Sequence, residues 1–378
     1  FDESIASFTK GSFVRIKGKA VSAEQVRPHK IEIVPSEIII ESIAQSMPID
    51  SESSSELKMD YRWLDLRDEK KRLIFEIRTY VEHIMREYFI EKGFIEIHTP
   101  KISGQCSEGG AEVFGLDYYG QKAYLTQSPQ FYKQMAMAAG FEKVFEIGPY
   151  YRAEKSFTPR HTAESTCVDF EIANITSHHD IMDFEEGWII YVLQKVKEKY
   201  GVKIKEVFGV EVKLPQDKIP RIKLCDVFKI FKEVYGVETP EAKQLDLDPD
   251  AEKLICEYSR DYLGSELVFI TDYPAEARAF YSRKSDEYES MSLDLLYRGW
   301  ELNSGAMREH RYDKLKAQIE EKGIDSEKMA GYLEFFKYGC PSHGGIGFGI
   351  DRFISKLLDL VSIKESIFVF RGPSRLVP

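Results

Sequence analysis

The segment EIGPYYRAEKSFTPRHTAESTCVDFEIA (146–173) reads as two strand-like stretches around a polar loop that carries Lys155, Arg160 and His161. Alternation along an extended chain puts Arg152 and Glu154 on one face of the first stretch, and Asp169 and Glu171 on one face of the second. Charges facing one way on paired strands suit ligand binding; two surface ion pairs are the alternative that composition leaves open. In HGGIGFGIDRF (343–353), glycines at 344, 345, 347 and 349 leave a strand face nearly bare, so a flat group can approach the backbone. Arg352 then falls at a helix start, a place that favours an anion beside it. In SLDLLYRGWELNSGAMREH (292–310), Asp294 and Glu301 lie seven apart, and Ser304 and Arg308 lie at the spacing of one helical turn. Two arginines suit phosphate, two carboxylates suit Mg²⁺, and a bare glycine face suits a base. QSPQFYKQMAMAAG (127–140) adds a small-residue helix with Gln130 and Lys133 on one face. Either that face is solvated or something negative docks on Lys133.

Such chemistry needs a scaffold to hold it. With 378 residues, 43% of them hydrophobic and 13% aromatic, the chain can bury a substantial core in one or two domains. A net charge of −11 argues against indiscriminate polyanion binding but leaves room for a local basic surface. Arg15, Lys17 and Lys19 on one face of FVRIKGKAV form a candidate patch. The five cysteines include no CxxC pair, which argues against a disulfide framework or a zinc site. With no secretory signal and no apolar run of membrane-spanning length, we expect a cytoplasmic protein.

Strand patterns cover 11–45 and a Ser-rich polar stretch covers 46–60. Leu73, Ile77, Tyr80, Val81, Ile84 and Tyr88 predict a helix over 69–91. FIEIHTP follows as a strand, and helices are expected at 179–200, 222–235 and over the acidic 236–260. Strands return at LVFIT (267–271), near 290–297 and at GIGFGI (345–350), and a last helix begins near Asp351. His178 and His179 are expected at the surface. The mixture lacks a regular βαβ rhythm, which predicts an α+β plan: an antiparallel sheet flanked by helices. Neither a P-loop nor a dinucleotide-binding glycine fingerprint is present.

The motifs together resemble the class II aminoacyl-tRNA synthetases of the aspartate/asparagine/lysine subgroup, the aspartate enzymes most closely. RWLDLR (62–67) resembles the approach to their catalytic domain, and GFIEIHTPKI (93–102) their first motif. FEIGPYYRAE with RHTAE and DFE resembles the second, and GGIGFGIDRF the third. The resemblance implies a catalytic domain over 69–378, a hinge over 48–68 and, in 1–47, the C-terminal part of an anticodon-binding OB-fold; the start at Phe1 rather than Met fits a missing beginning. It implies ATP-dependent activation of L-aspartate, transfer to tRNA(Asp), use of Mg²⁺, and a homodimer through the first motif at Pro100. By the same likeness Arg152 meets the α-phosphate, Arg352 the γ-phosphate and Glu154 the adenine, with Gly349 in the ATP face. Arg160 and His161 meet the triphosphate or the tRNA acceptor end. Asp294 and Glu301 hold Mg²⁺. Glu108 in SEGGA and Asp169 meet the substrate ammonium; Lys133 and Arg308 meet its β-carboxylate, with Gln130 and Ser304 beside them.

Two cations facing a neutral amide would be poorly matched, so this pocket points to aspartate rather than asparagine. An asparaginyl enzyme, a tRNA-independent relative forming asparagine, and a non-catalytic RNA-binding relative are the other readings. The subgroup commonly carries Phe where this chain has Ser165, and its ring covers adenine. Ser165→Phe is therefore expected to lower the KM for ATP in pyrophosphate exchange; an unchanged or higher KM would refute that position's role.

Overall fold

The computed structural model describes residues 8–377 apart from 27–28, 105–111, 156–157, 241 and 243. The chain forms two compact units, one up to Asp68 and one from Glu69. In the first, β1 (Phe13–Ser22) and β2 (Ile31–Ser42) pair antiparallel. The Ser-rich stretch is not all extended: Ser54 accepts a hydrogen bond from the Leu57 amide and starts α1 (Ser55–Asp60), followed by α2 (Arg62–Asp65).

The second unit opens with α3 (Glu69–Glu91), which buries Leu73, Ile77, Val81 and Ile84 as their spacing predicts. Short strands β3 (Ile95–Glu96), β4 (Ile102–Ser103), β5 (Gly115–Tyr118) and β6 (Gln121–Leu125) lead to α4 (Gln130–Ala138). A long hairpin follows, β7 (Lys143–Tyr151) and β8 (Glu164–Ala173), then α5 (His178–Phe208). α5 outruns the expected 179–200 at both ends. A capping box between Ser177 and Asp180 starts it, and Ile204 prolongs its buried face until Gly209, at φ 74°, ends it. β9 (Arg221–Lys223), α6 (Leu224–Tyr235) and α7 (Pro249–Tyr262) come next. The helix expected over 236–260 begins only at Pro249, where Asp248 accepts from the Asp250 and Ala251 amides. The chain continues through β10 (Leu267–Thr271), β11 (Ser292–Tyr297), β12 (Trp300–Met307), α8 (Tyr312–Glu321), α9 (Ala330–Lys337), β13 (His343–Gly349) and α10 (Ile350–Leu357).

Eight strands make one sheet in the order β3-β7-β8-β13-β12-β11-β10-β9, antiparallel except at its two edges, where β3 and β9 run parallel to their neighbours. α3 and α5 cover one face through a core that includes Phe89, Phe170, Trp188 and Phe348. α6 and α7 cover the β10–β11 part of the other. Among the described residues, no helix is long and apolar enough to cross a membrane. This is the expected antiparallel sheet flanked by helices.

Local details depart from the sequence reading. β7 stops at Tyr151, so Arg152 and Glu154 lie beyond the strand and its alternation does not place them; the Arg152 amide donates to the Ala163 carbonyl at 3.0 Å. Ser304 belongs to β12, a strand, so its relation to Arg308 is a shared sheet face rather than a helical turn. Only Ile95 and Glu96 of FIEIHTP are strand, because the Thr99 amide is taken by the Glu146 carboxylate at 3.1 Å. His178, expected at the surface, is buried, with Nε2 3.7 Å from Asp272.

Asp351 is more than a variant of a motif residue. It is buried, pairs with Arg78 of α3, and accepts from the Thr166 amide of β8 at 3.0 Å. Burial raises its pKa, and Arg78 opposes that rise. One carboxylate thus joins α3, β8 and α10. Removing one partner of a buried pair strands the other, at about 3–5 kcal/mol. Arg78→Met should lower the unfolding free energy by that order in urea titration, and a loss under about 1 kcal/mol would contradict the clamp.

Candidate active site

A cleft of about 330 Å³ opens over the middle of the sheet, lined by residues of β7, β8, β12, β13 and α10 and of the connection between β10 and β11. Charged side chains lie in two groups at it: Asp169, Arg308, Glu301 and Arg352 line the cleft, while Lys133, Glu171 and Asp294 are buried behind that lining.

At one end sits Lys133. Its helix brings it to the sheet with only 2% exposure, so the solvated-face reading fails. Its Nζ lies 2.8 Å from Asp169 and 3.2 Å from Glu171, and donates to the Ile346 carbonyl at 2.9 Å. Arg308 uses Nε on Glu171 at 3.0 Å and Nη2 on the Gly345 carbonyl at 2.8 Å. Burial alone would raise the Glu171 pKa; Arg308 and Lys133 instead hold it below the ordinary carboxylate value. Asp169 also accepts from the Tyr150 hydroxyl at 2.6 Å. The two cations are therefore not bare: two carboxylates balance them. A Cβ at Gly345 would stand 1.9 Å from the Phe170 carbonyl and 2.4 Å from Glu171, so that glycine makes room for the charge cluster. Gly347 and Gly349 line the cleft itself.

Gln130 is buried and donates to Gln134 at 2.8 Å. Gln134 accepts from Tyr332 at 2.9 Å, and its Nε2 lies 3.0 Å from His343 Nε2. This chain of bonds fixes α4 against α9 and β13, and with it Lys133.

The other end is anionic and arginine-rich. Glu301 lines the cleft here, and Asp294, buried on β11, lies near enough for its charge to act on Glu301. Arg278 reaches Asp294 Oδ2 at 2.6 Å and Ser304 at 2.8 Å, while Asp294 Oδ1 is buried and, among the described residues, without a hydrogen-bond partner. Glu301 keeps 36% side-chain exposure, yet desolvation and the Asp294 charge push it up to about 7. An orphaned carboxylate oxygen beside a second, reluctant carboxylate fits a divalent cation that takes few protein ligands. Among the described residues no group of three His, Cys, Asp or Glu forms a denser metal site. Arg352, at the start of α10, donates to the Glu301 carbonyl at 2.9 Å and lies 3.5 Å from its carboxylate.

The hairpin connection supplies the rest. Arg152 is 3.6 Å from Glu154 and its side chain is about half exposed. His161 sits 3.7 Å from Glu154; burial lowers its pKa, and Arg352 and Arg152 add to that while Glu154 opposes. Arg160 is pinned by Glu252 of α7 at 2.7 Å and the Gly299 carbonyl at 3.0 Å, and it stacks over Trp300. Pro100 lies away from the cleft, its carbonyl accepting from Thr126 at 3.2 Å. Glu108 lies outside the described residues. Sequence reasoning missed Arg278, whose signal was a lone arginine in the apolar YPAEARAFY. It also noted Glu171 without giving it a role.

The sequence profile of the tRNA synthetases class II (D, K and N) matches residues 54–370. The chain belongs to the class II tRNA synthetases of this D, K and N family. Curated members of the family are similar over most of their length. The aspartate–tRNA(Asp) ligase of Pyrococcus abyssi is 42% identical over 92% of this chain and 80% of its own. The aspartate–tRNA(Asp/Asn) ligase of Aeropyrum pernix is 38% identical over 94% and 80%. Among solved structures, the asparaginyl-tRNA synthetase of Pyrococcus horikoshii with asparaginyl-adenylate superposes with TM-score 0.89 at 29% identity, over 100% of this chain and 86% of that one. The aspartyl-tRNA synthetase of Entamoeba histolytica gives 0.84 at 27%, over 97% and 79%.

For this class II synthetase, the Gln134–His343 contact makes a pH prediction. Burial lowers the His343 pKa to about 4, against 6.5 for a free imidazole. Between those values the unfolded chain binds the extra proton. The contribution to stability is therefore complete above pH 6.5 and lost as pH falls to 4. Relative to His343→Gln, the wild type should lose about 3 kcal/mol of unfolding free energy between pH 7 and pH 4. Parallel pH profiles for the two would contradict it.

Proposed function

We propose that this class II synthetase uses ATP to activate L-aspartate as aspartyl-adenylate and transfers the aspartyl group to tRNA(Asp). The observation that carries the choice of aspartate is the pair Lys133 and Arg308, held side by side by one buried carboxylate. Arg308 spends Nε and Nη2 on protein, and among the described residues no bond is found to Nη1, while the residue lines the cleft. A carboxylate can accept from this donor while the buried Lys133 adds positive charge behind it; an amide carries no charge to match the pair and can turn its own N–H groups toward the cations. Asp169, beside Lys133, suits the substrate ammonium. The identity to relatives named aspartate–tRNA ligases supports the same choice.

In the first step an α-carboxylate oxygen of aspartate attacks the α-phosphorus of ATP, and the bond to pyrophosphate breaks. In the second, a terminal ribose hydroxyl of the tRNA attacks the acyl carbon, loses its proton and releases AMP. Protein groups mainly position reactants and neutralise charge. Arg152 is assigned to the α-phosphoryl, Arg352 to the γ-phosphate, Glu154 to adenine, and His161 to the phosphate chain. Arg160, pinned by Glu252, is assigned to holding the hairpin connection in place. Asp294 and Glu301 are the residues that would hold Mg²⁺, which neutralises phosphate charge when bound. Residues 1–47 are assigned to the C-terminal part of an anticodon-binding OB-fold, and the Pro100 region to a dimer contact. A second reading, charging of tRNA(Asn) as well, is favoured by the Aeropyrum pernix relative, which is named for both tRNAs.

ATP–pyrophosphate exchange with aspartate, asparagine and lysine side by side tests the proposal. Aspartate alone should support fast exchange, and an equal rate with asparagine would overturn the choice. Lys133→Leu should cut the aspartate kcat/KM by at least ~10³-fold, since it also leaves Asp169 and Glu171 without a shared cation, while ATP binding stays within about threefold. Equal loss of both would make the lysine purely structural.

A further inference from the structure

β12, with Arg308 directly after it, runs through both halves of the cleft. Glu301 belongs to the anionic end and Arg308 to the cationic end, and they lie seven apart. On a regular strand an odd separation puts two side chains on opposite faces. The register between β11 and β12 resolves the conflict. Near the hairpin turn Tyr297 pairs with Trp300 and Leu296 with Glu301; beyond it Leu295 pairs with Asn303 and Asp294 with Ser304. One residue of β12 is extra, a β-bulge. Leu302 belongs to the hydrophobic core beneath the sheet, and Asn303 bonds to Glu185 of α5 on that same side. Two successive side chains thus point down, and Glu301, Ser304 and Arg308 all face the cleft.

Something must hold the bulge at this position: a full slip by one residue would turn one group of cleft residues into the core, and a bulge merely loosened leaves both groups facing the cleft but shifted relative to each other. The Asn303 side-chain oxygen accepts from the Leu295 amide at 2.7 Å, tying the bulge to the strand beside it. The Asn303 amide nitrogen donates to Glu185 Oε1. Both side chains are buried, on a face otherwise built from residues such as Leu293, Leu295, Met307 and Phe348. Among the described residues Glu185 Oε2 has no hydrogen-bond partner. Desolvation raises the Glu185 pKa well above the ordinary carboxylate value, although the Asn303 bond opposes it. A polar pair at such a place costs stability, and register is the specificity it supplies.

We infer that Glu185 and Asn303 are positioning residues that lock the β12 bulge and so align the nucleotide-activating residues with the amino-acid-binding residues for adenylate formation. Neither residue touches substrate. The inference rests on the proposed aspartate activation, and it predicts a separable defect: each substrate still binds, but the two are misaligned.

The test uses Glu185→Gln, Glu185→Leu and the double variant Glu185→Leu/Asn303→Leu. Glutamine keeps an acceptor for the Asn303 amide and should retain exchange within about threefold of wild type. The double variant replaces both polar groups by apolar ones, which favours folding. It should stay folded by circular dichroism, bind ATP alone and aspartate alone within about threefold by calorimetry, and lose at least ~10²-fold in exchange kcat. Glu185→Leu alone should lose as much or more. A folded double variant with wild-type kcat would overturn the inference, as would a rate loss matched by equal loss of each single-substrate affinity. If the wild type itself shows no aspartate-dependent exchange, the proposed function fails instead, and the two failures cannot be confused.

Discussion

Glu171 is the point on which the cleft is built. Its carboxylate is fully buried and holds two cations from different parts of the chain, Lys133 of α4 and Arg308 just past the end of β12. An ionised carboxylate in that place is tolerable only because both cations reach it. Arg308 and Lys133 also donate to the Gly345 and Ile346 carbonyls, so β13 is drawn into the same cluster. Four elements are thereby set to within hydrogen-bond tolerance of one another. The pocket proposed to take the substrate's charged side chain is assembled by charge before any substrate arrives.

Around that centre the sheet keeps unlike functions apart. At the anionic end Asp294 pairs with Arg278 and Glu301 only loosely with Arg352, and Glu301 is reluctant to ionise; at the other end two carboxylates and two cations are closely paired. Arg278 spans the two, touching Asp294 and Ser304. The opposite face is largely apolar, and the polar pair Glu185 and Asn303 sits under the irregularity in the β11–β12 ladder. Irregularity and buried polarity coincide because one needs the other.

Much of this was legible in the sequence. The helix over Glu69–Glu91 and the strand LVFIT match their patterns, because long amphipathic periodicity and an unbroken apolar run leave little choice. The antiparallel plan and the family follow from ordered motifs. The residues gathered in the cleft include most of those singled out by type and spacing. What could not be read was long-range pairing. Nothing local marks Asp351 as the partner of Arg78, 273 positions away, or Arg160 as the partner of Glu252. The end of β7 before Arg152 and the bulge at β12 depend on which carbonyl meets which amide across the sheet. His178 read as surface because a histidine pair at a helix start carries no sign of the Asp272 that covers it.

The strand order has a consequence in time. β13, residues 343–349, lies between β8 and β12 at the centre of the sheet, yet it is nearly the last strand-forming segment to leave the ribosome. Until it emerges, the nascent chain holds two partial sheets with facing open edges, and Arg308 lacks the carbonyl that β13 provides. Those edges are exposed in a growing polypeptide for as long as it takes to translate the 35 residues between the end of β12 at Met307 and the start of β13 at His343. Insertion of a glycine-rich strand with few bulky side chains then closes both edges in one step. The glycines that shape the finished cleft also make the last piece slim enough to slide in.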